Sequence, residues 1–395
     1  MHLLLASVSA ATSPSGVCRH AANMARGMLA NPSVRKVTML VGEWQIGYFR
    51  NTFGLKGLEG ERFEMRSFSI ANRPAARNFW YLRALPATAR ACNADVVHLA
   101  FPMPLLRSAY PVPVVVSLHD LYPFDIPRNF GKHRARLNRA ALKLCLKNVD
   151  AIACVSETTR TRLRELFPAV DSRKSSVVPN SVCVVSDRVE LSLPDEIEDN
   201  PFLLCVAQHR ANKNLPLLLQ SFRLALDRGS VARESKLVIV GNEGPETQLL
   251  HRIVTDCRLE DQVVFLRDIS DALLSALYAK CEIVVAPSLL EGFGLPVAEA
   301  LAAGCRVACS EIAEFRITGT SSCVFFDPKD SSGESLVAAL QKALKAPRSA
   351  VISSTGLAPQ QAAAMYLALY SKLMLPNRTS HFKPSSADLP VSGDL

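Results

Sequence analysis

The feature that most constrains this chain is a regular alternation of short apolar segments with segments of helical length. The apolar segments are rich in Val, Ile and Leu and end at turn-forming residues, as expected for buried strands. Alternation of this kind predicts parallel sheets covered by helices, the doubly wound α/β class. Predicted strands cover residues 3–8, 37–41, 96–99, 114–118, 151–155 and 176–178 in the front half, and 202–206, 237–240, 263–265, 283–286 and 306–308 in the back half.

The length of 395 residues predicts two domains, because it exceeds what one ordinary hydrophobic core accommodates. Residues 186–200 are acidic, contain Pro194 and lack apolar periodicity, which is typical of an interdomain linker. We predict a first domain over residues 1–188, a second over 189–354, a helix over 355–375 and a disordered tail over 376–395. Met365, Leu369 and Leu373 are predicted to share one face of that helix.

The first residues, MHLLLASVSAA, are predicted to form a strand rather than a signal peptide, because no basic region precedes the apolar one. No apolar run approaches the ~18 residues that a membrane-spanning helix needs. Eleven scattered cysteines without a C-x-x-C pair favour buried, reduced thiols over a disulfide framework or a zinc site. These features together predict a cytoplasmic protein.

The net charge of +9 is concentrated in the first domain, while the rest of the chain is mildly acidic. Helices are predicted to begin after Gly16 and after Asn138, and basic residues cluster around the second of these starts. Two interpretations of the cluster stay open: an ordinary solvated helix face, or contact with the anionic inner face of the cell membrane. Nucleic acid is disfavoured as a partner, because aromatic residues do not alternate with the charges. The cluster comprises Arg128, Lys132, Arg134, Arg136, Arg139, Lys143 and Lys147.

Two carboxylates, Glu291 and Glu299, bracket the segment EGFGLPVAE. The apolar run before it predicts a strand, and PVAEALAAG predicts a helix with Pro296 in its first turn and Gly304 after its end. Glu291 is therefore expected in a strand-to-helix loop and Glu299 one turn inside the helix, both facing one crevice. Carboxylates accept hydrogen bonds from sugar hydroxyls, and the glycines allow close approach of the backbone to a phosphate or hexose. This spacing favours a nucleotide sugar as the ligand.

The segment APSLLEGFGLPVAEALAAGCRVACS resembles the signature of glycosyltransferase family 4, also called glycosyl transferases group 1. VAQHRANKNLPLLLQSF and LVIVGNEGPETQLL resemble the first two strands and loops of that family's second domain, in the family's order. The similarity runs from about residue 3 to about residue 373. It implies the GT-B architecture, with two Rossmann-like domains facing a cleft and a C-terminal helix that crosses back onto the first domain.

By this resemblance, Glu291 contacts the transferred sugar and Glu299 accepts from the ribose. The backbone of Gly292, Phe293, Gly294 and Leu295 approaches the sugar and the β-phosphate. Arg210 and Lys213 follow a predicted strand, and both side chain types suit phosphate oxygens. The chain departs from the family pattern there, because Ala207 replaces a glycine and Asn212 stands where many members carry a basic residue.

Further positions follow from the same resemblance. Gly241 and Arg267 are expected near the nucleotide base, and the helix that opens at Gly16 near the donor phosphate or the acceptor. His119 ends a strand at the cleft, where it would contact the reacting sugar or assist proton movement. His98 is a weaker candidate for acceptor contact, and Asp120 is expected to orient its loop.

The implied activity is retaining transfer of a hexose from a nucleotide-diphosphate sugar to a lipid-linked or polysaccharide acceptor, with mannosyl transfer and lipopolysaccharide synthesis among the roles that it covers. The absence of D-x-D predicts that no metal or other cofactor is required, because fixed cations and helix dipoles stabilise the leaving diphosphate. Alternatives within the same fold are a nucleotide-sugar epimerase or phosphorylase, or an inactive nucleotide-sugar-binding subunit. A nicotinamide dehydrogenase is disfavoured, because no G-x-G-x-x-G follows a strand.

Overall fold

A computed structural model describes residues 1–170, 174–182, 193–319, 322–348 and 357–375. Within these ranges the strands form two fully parallel sheets, with seven and six members. In each sheet the chain starts in the middle, moves to one edge and then returns to build the other half, which is the doubly wound order. Two such domains are consistent with the predicted fold class.

The first sheet has the order β3-β2-β1-β4-β5-β6-β7 and the second the order β10-β9-β8-β11-β12-β13. Parallel register is continuous across each sheet, so the carboxyl ends of the strands lie at one edge. The strands are β1 (His2–Ala6), β2 (Lys36–Gly42), β3 (Phe63–Phe68), β4 (Val96–Leu99), β5 (Val114–Leu118), β6 (Ala151–Cys154), β7 (Ser175–Val177), β8 (Phe202–Val206), β9 (Lys236–Val240), β10 (Val263–Leu266), β11 (Ile283–Ala286), β12 (Val307–Ser310) and β13 (Val324–Phe326).

Helices cover both faces of each sheet, because successive strand side chains point to opposite faces and both faces are apolar. In β1, for example, Leu3 and Leu5 belong to one core and Leu4 and Ala6 to the other. The helices are α1 (Gly16–Leu29), α2 (Ile46–Arg50), α3 (Pro74–Phe79), α4 (Leu85–Ala91), α5 (Tyr122–Asp125), α6 (Lys132–Asn148), α7 (Glu157–Leu166), α8 (Asp195–Glu198), α9 (Leu215–Asp227), α10 (Thr247–Asp256), α11 (Asp271–Lys280), α12 (Leu295–Ala302), α13 (Ala313–Gly319), α14 (Glu334–Lys345) and α15 (Pro359–Met374).

Helix α15 crosses back from the second domain and packs on the first. Its start lies against α1 so closely that a side chain at Gly27 would collide with the Pro359 carbonyl. Further along, the Tyr366 hydroxyl lies 3.1 Å from Ser117 Oγ, and the Tyr370 hydroxyl lies 2.7 Å from His98 Nδ1. The predicted crossover helix is therefore present, anchored in the first domain by buried polar contacts.

The structure corrects several predicted details. Helix α6 begins at Lys132 and not after Asn138. On α15 it is Tyr366 and Tyr370 that are buried, whereas Met365 is 40% exposed and Leu369 and Leu373 are only partly buried. Strands β3 and β13 were not predicted. Strand β3 (FEMRSF) contains charged residues and β13 (VFF) is only three residues long, so neither gives the longer apolar run that marks a buried strand.

The predicted linker is also corrected in part. Its later portion forms α8, and the Ile197 side chain is fully buried in the core of the second domain. Residues 183–192 and the predicted tail, 376–395, lie outside the described residues. The ten cysteines in the described ranges are free thiols, and most of them are buried. No helix among the described residues combines the length and apolar character needed to cross a bilayer.

Candidate active site

A cleft of about 770 Å³ separates the two domains at the carboxyl ends of their strands. Loops that follow β1 and β5 line it on one side, and loops that follow β8, β9 and β11 line it on the other. Open α/β sheets bind ligands at this edge, because loops and helix N-termini converge there. The cleft brings together the predicted site residues with two exceptions, Arg267 and the weaker candidate His98.

Lys213 and Glu291 are in direct contact at the bottom of the cleft. The Lys213 Nζ atom lies 2.5 Å from Glu291 Oε1, and the two side chains are 16% and 9% exposed. Lys213 ends a short 3₁₀ turn after β8, and Glu291 follows β11, which is the neighbour of β8 in the sheet. The Ser288 hydroxyl donates a hydrogen bond of 2.7 Å to the same Glu291 oxygen. The carboxylate is thus fixed in place beside a cation.

Arg210 lies in the same loop as Lys213 and also lines the cleft. Among the residues that the structure describes, it has no carboxylate partner at ion-pair distance. On the opposite wall, the Arg210 charge lowers the pKa of the Asp120 carboxyl and so favours its charged form. A half-buried guanidinium of this kind can meet an incoming anion without first breaking an ion pair.

Glu299 lines the other end of the cleft, where its side chain is 13% exposed. Tyr278 on α11 donates a hydrogen bond of 3.0 Å to Glu299 Oε2, and Arg19 Nε of α1 lies 3.6 Å from Oε1. Burial raises the pKa of the Glu299 carboxyl above its ordinary value, while Arg19 and the Tyr278 hydroxyl oppose that rise. Arg19 was not predicted as a site residue. Its only sequence signal is its place in the first turns of the helix that Gly16 opens.

The loop from Gly292 to Leu295 forms the floor between the domains. A side chain at Gly292 would collide with the His119 carbonyl oxygen, so only glycine permits this contact. Gly294 has a φ of 90°, a left-handed conformation that favours glycine, and it precedes the first residue of α12, Leu295. Phe293 is buried against Val155 and Val182 of the first domain.

Gly16 and Gly241 both border the cleft. Gly16 opens α1, which is capped by the Ser15 hydroxyl, and the position of its missing side chain lies 3.7 Å from Leu295. Gly241 packs so tightly on the Ala207 carbonyl that a side chain would not fit. Arg267 differs, because it is 67% exposed at the rim in an ion pair with Glu243, and of the two only Glu243 lines the cleft.

His119 lines the first-domain wall, where its Nε2 atom lies 2.8 Å from the Ala100 carbonyl oxygen. A carbonyl only accepts, so Nε2 carries the proton and Nδ1 is left as the acceptor. Burial lowers the pKa of His119 to about 4, so the imidazole is neutral at pH 7. His119 is therefore built to accept a hydrogen bond through Nδ1 rather than to carry positive charge.

The neighbours of His119 have different roles. Asp120 orients its loop as expected, because its Oδ1 accepts a hydrogen bond of 3.0 Å from the Tyr122 N–H. Burial raises the pKa of Asp120 to about 6, Glu291 acts in the same direction, and Arg210 and Lys213 oppose it. His98 does not reach the cleft: it is fully buried between Ser117 and Tyr370, so its predicted acceptor contact is wrong.

No group of three or more His, Cys, Asp or Glu side chains within the described ranges is arranged to hold a metal ion. The predicted independence of metal and cofactor stays a prediction.

Family comparisons agree with this geometry. Residues 193–353 match the family model described as Glycosyl transferases group 1, and residues 14–184 match the model described as Glycosyltransferase Family 4. The chain belongs to the group 1 glycosyltransferases. The two sheets and their cleft accordingly have the GT-B architecture of that family.

Relatives of this group 1 glycosyltransferase include O-antigen enzymes. The chain is 30% identical over 228 residues to the O-antigen chain mannosyltransferase RfbU of Salmonella typhimurium, covering 58% of this chain and 59% of RfbU. It is 27% identical over 225 residues to the O-antigen chain mannosyltransferase B of Escherichia coli, covering 55% of this chain and 58% of that protein. The chain thus spans little more than half the length of the curated relatives that it matches.

Solved structures share the fold over most of the chain. HepE from Anabaena, in complex with UDP and glucose, superposes with a TM-score of 0.66 at 16% identity and covers 94% of this chain and 100% of HepE. WaaG, a glycosyltransferase involved in lipopolysaccharide biosynthesis, gives a TM-score of 0.65 at 17% identity and covers 94% of this chain and 97% of WaaG. At these identities the likeness shows the GT-B fold alone.

Proposed function

We propose that this protein is a retaining glycosyltransferase that moves a hexose from a nucleotide-diphosphate sugar to a lipid-linked or polysaccharide acceptor. The observation that carries the proposal is the 2.5 Å pair of Lys213 and Glu291. Arg210 lies in the same loop and has no carboxylate partner at ion-pair distance among the described residues. Cations suited to a diphosphate thus lie next to a carboxylate suited to sugar hydroxyls. Glu299 lies at the nucleoside end of the same cleft.

Mannose carried on GDP is the donor that we propose to test first. The two relatives described above are named mannosyltransferases. A further relative, from Mycolicibacterium smegmatis, is named a GDP-mannose-dependent mannosyltransferase and is 26% identical over 209 residues. HepE binds UDP and glucose, so UDP-hexoses are the natural comparison set.

The proposed reaction breaks the bond between the sugar C1 and the β-phosphate oxygen and forms a bond between C1 and an acceptor oxygen. Arg210 and Lys213 would stabilise the negative charge that develops on the leaving diphosphate. Glu291 would hold the sugar through its hydroxyls, and neutral His119 would offer Nδ1 as an acceptor beside it. The acceptor proton leaves with the departing diphosphate or with solvent.

The deciding experiment mixes GDP-mannose, UDP-glucose and ADP-glucose separately with the protein and measures the melting temperature, because a ligand that binds only the folded state raises it. The stabilising donor is then incubated with lipid-linked oligosaccharide, and radiolabel transfer is measured. Transfer to the acceptor supports the proposal. Isomerised donor without acceptor, or dependence on inorganic phosphate, would indicate an epimerase or a phosphorylase instead.

We also propose that the outer face of α6 contacts anionic lipid. Leu142 and Leu146 are buried, but Leu137 is 70% exposed and lies one turn after exposed Arg134. Exposed Arg136 and Lys143 continue the basic face, so a leucine is presented among cations as at a lipid headgroup surface.

Sedimentation with phosphatidylcholine vesicles, with and without phosphatidylglycerol, tests this contact. Arg134→Glu combined with Leu137→Ser should reduce binding to the anionic vesicles about tenfold, since each basic residue near such a surface contributes about 1 kcal/mol. Arg252→Glu, an exposed helix residue of the second domain, serves as the control. Equal binding to both vesicle types would contradict a lipid-directed role.

A further inference from the structure

Arg19 is a first-domain side chain that reaches the nucleoside end of the second domain. It lies on α1, one turn after Gly16, and its guanidinium Nη2 donates a hydrogen bond of 2.7 Å to Asp271 Oδ1 at the start of α11. Its Nε atom lies 3.6 Å from Glu299 Oε1. The guanidinium also lies over the Phe53 ring, 5.3 Å from its centre, which leaves the side chain 20% exposed in the cleft wall.

We propose that Arg19 is a positioning residue for nucleoside recognition: supplied by the first domain, it keeps the Glu299 carboxylate of the second domain charged and oriented to accept from ribose hydroxyls. This inference rests on the proposed function, in which Glu299 faces the ribose. It adds a residue from the opposite domain to that site.

The need for such a residue follows from the burial of Glu299. A buried carboxyl tends to take up a proton, because the charged form loses its hydration. Once protonated, one of its oxygens becomes a donor and the ribose loses an acceptor. Arg19 and the Tyr278 hydroxyl are the groups that favour the charged form, whereas Asp271 on the same helix as Tyr278 disfavours it. Asp271 therefore holds Arg19 in place at an electrostatic cost to Glu299.

The arrangement also links recognition to domain closure. Tyr278 and Asp271 belong to the second domain and stay beside Glu299 at any opening of the cleft. Arg19 does not, because α1 moves with the first domain. When the cleft opens, Glu299 loses its cationic neighbour, so its affinity for ribose should be complete only when the domains are closed.

The experiment compares Arg19→Gln with Asp271→Asn. Both variants remove the ion pair of Arg19 with Asp271. Arg19→Gln removes a positive charge near Glu299, whereas Asp271→Asn removes a negative one. Calorimetry measures the Kd of GDP, UDP and ADP from acidic to neutral pH. The 2′-deoxy and 3′-deoxy forms of whichever nucleotide binds the wild type are measured in the same way. Arg19→Gln should weaken nucleotide binding about tenfold near neutral pH, because the ribose loses its hydrogen bond to the charged Glu299 carboxylate.

Two measurements distinguish a residue that keeps Glu299 charged and oriented from one that only joins the two domains. In Arg19→Gln, the loss of affinity in acid should begin at a higher pH than in the wild type, because Glu299 protonates more readily. In Asp271→Asn it should begin at the same pH or lower. Arg19→Gln should also reduce the preference for ribonucleotide over the deoxy form, and Arg19→Lys should restore part of both properties.

Unfolding is excluded as a cause by the melting temperatures, with Arg228→Gln, an exposed ion-pair arginine of the second domain, as the matched control. If Arg19→Gln and Asp271→Asn weaken binding equally and show the wild-type pH dependence, Arg19 is a bridge only and the inference is overturned. If the wild type binds none of GDP, UDP and ADP, it is the proposed function that fails. The two failures are thus distinguishable.

Discussion

Lys213 and Glu291 lie 2.5 Å apart and neutralise each other at the bottom of the cleft. The cation suited to the diphosphate and the carboxylate suited to the sugar are therefore coupled before any donor arrives. A donor that contacts both must share or replace this pair. A substitution of Glu291 should consequently change binding of the diphosphate, and a substitution of Lys213 should change binding of the sugar.

The first prediction concerns this coupling. Glu291→Gln should reduce turnover about a hundredfold or more, because contacts to the reacting sugar are lost. Binding of the nucleoside diphosphate alone should stay unchanged or become tighter, because Lys213 is released from its partner. Lys213→Ala should weaken that binding instead. Steady-state kinetics and calorimetry on the two variants check both statements, and normal turnover by Glu291→Gln would contradict the assigned site.

The second prediction concerns contact between the domains. Gly292→Ala places a methyl group against the His119 carbonyl oxygen of the first domain, where there is no room for it. Transfer should fall about a hundredfold, because misplacement of the reacting groups by about 1 Å has that effect. The melting temperature should change little. Gly47→Ala, where an added side chain meets open space, is the matched control. Full activity in Gly292→Ala would show that catalysis does not need this contact between Gly292 and His119.

The third prediction is a pH profile. Burial raises the pKa of Asp120 to about 6, and protonation removes an acceptor from the cleft, so the transfer rate should fall as the pH drops through about 6. His119 titrates too low, near 4, to produce this limb. Asp120→Asn should abolish it. Should the limb persist, Glu314 is the alternative, because burial raises its pKa to about 7, and Glu314→Gln would identify it.

The fourth prediction concerns stability in acid. Burial lowers the pKa of His98 to about 3 from an ordinary 6.5, so the unfolded state binds the proton more readily between these values. The stabilising contribution of neutral His98 is complete above pH 6.5 and is lost as the pH falls toward 3. In that range the free energy of unfolding that His98 contributes falls by about 1.4 kcal/mol per pH unit. Asp120 and Glu314, whose pKa values are raised, oppose this trend, so the test is a difference between variants.

Urea unfolding at several pH values measures that difference. His98→Gln should be less stable than the wild type at pH 7 but should lose less free energy of unfolding on acidification. Parallel curves for the wild type and His98→Gln would show that His98 is not the group that titrates.

Much of this protein could be predicted from local patterns. Strands β8 and β11 match their predicted bounds because buried parallel strands are apolar on both faces, which makes a strong local signal. The ends of helix α12 can also be predicted from nearby residues, because Gly294 and Pro296 mark its start and Gly304 its end. Local pattern therefore predicts that Glu291 and Glu299 lie at the cleft, where both are found.

Other features could not be predicted, because they depend on segments far apart in the chain. Nothing near Arg19 indicates that its partners are Asp271 and Glu299, which arrive from the other domain. Arg267 and His98 stand at or near strand ends, as residues of the cleft also do. Packing nevertheless leaves Arg267 exposed and encloses His98 completely.

The amino-acid pattern alone determined two doubly wound domains and the loops that carry the glycines, carboxylates and cations, because hydrophobic periodicity and turn residues act over a few positions. Tertiary structure alone decided which of those side chains meet across the cleft, which are buried, and how their pKa values move. Desolvation and charge pairing depend on neighbours in space, and those neighbours are set only when both domains and α15 pack together.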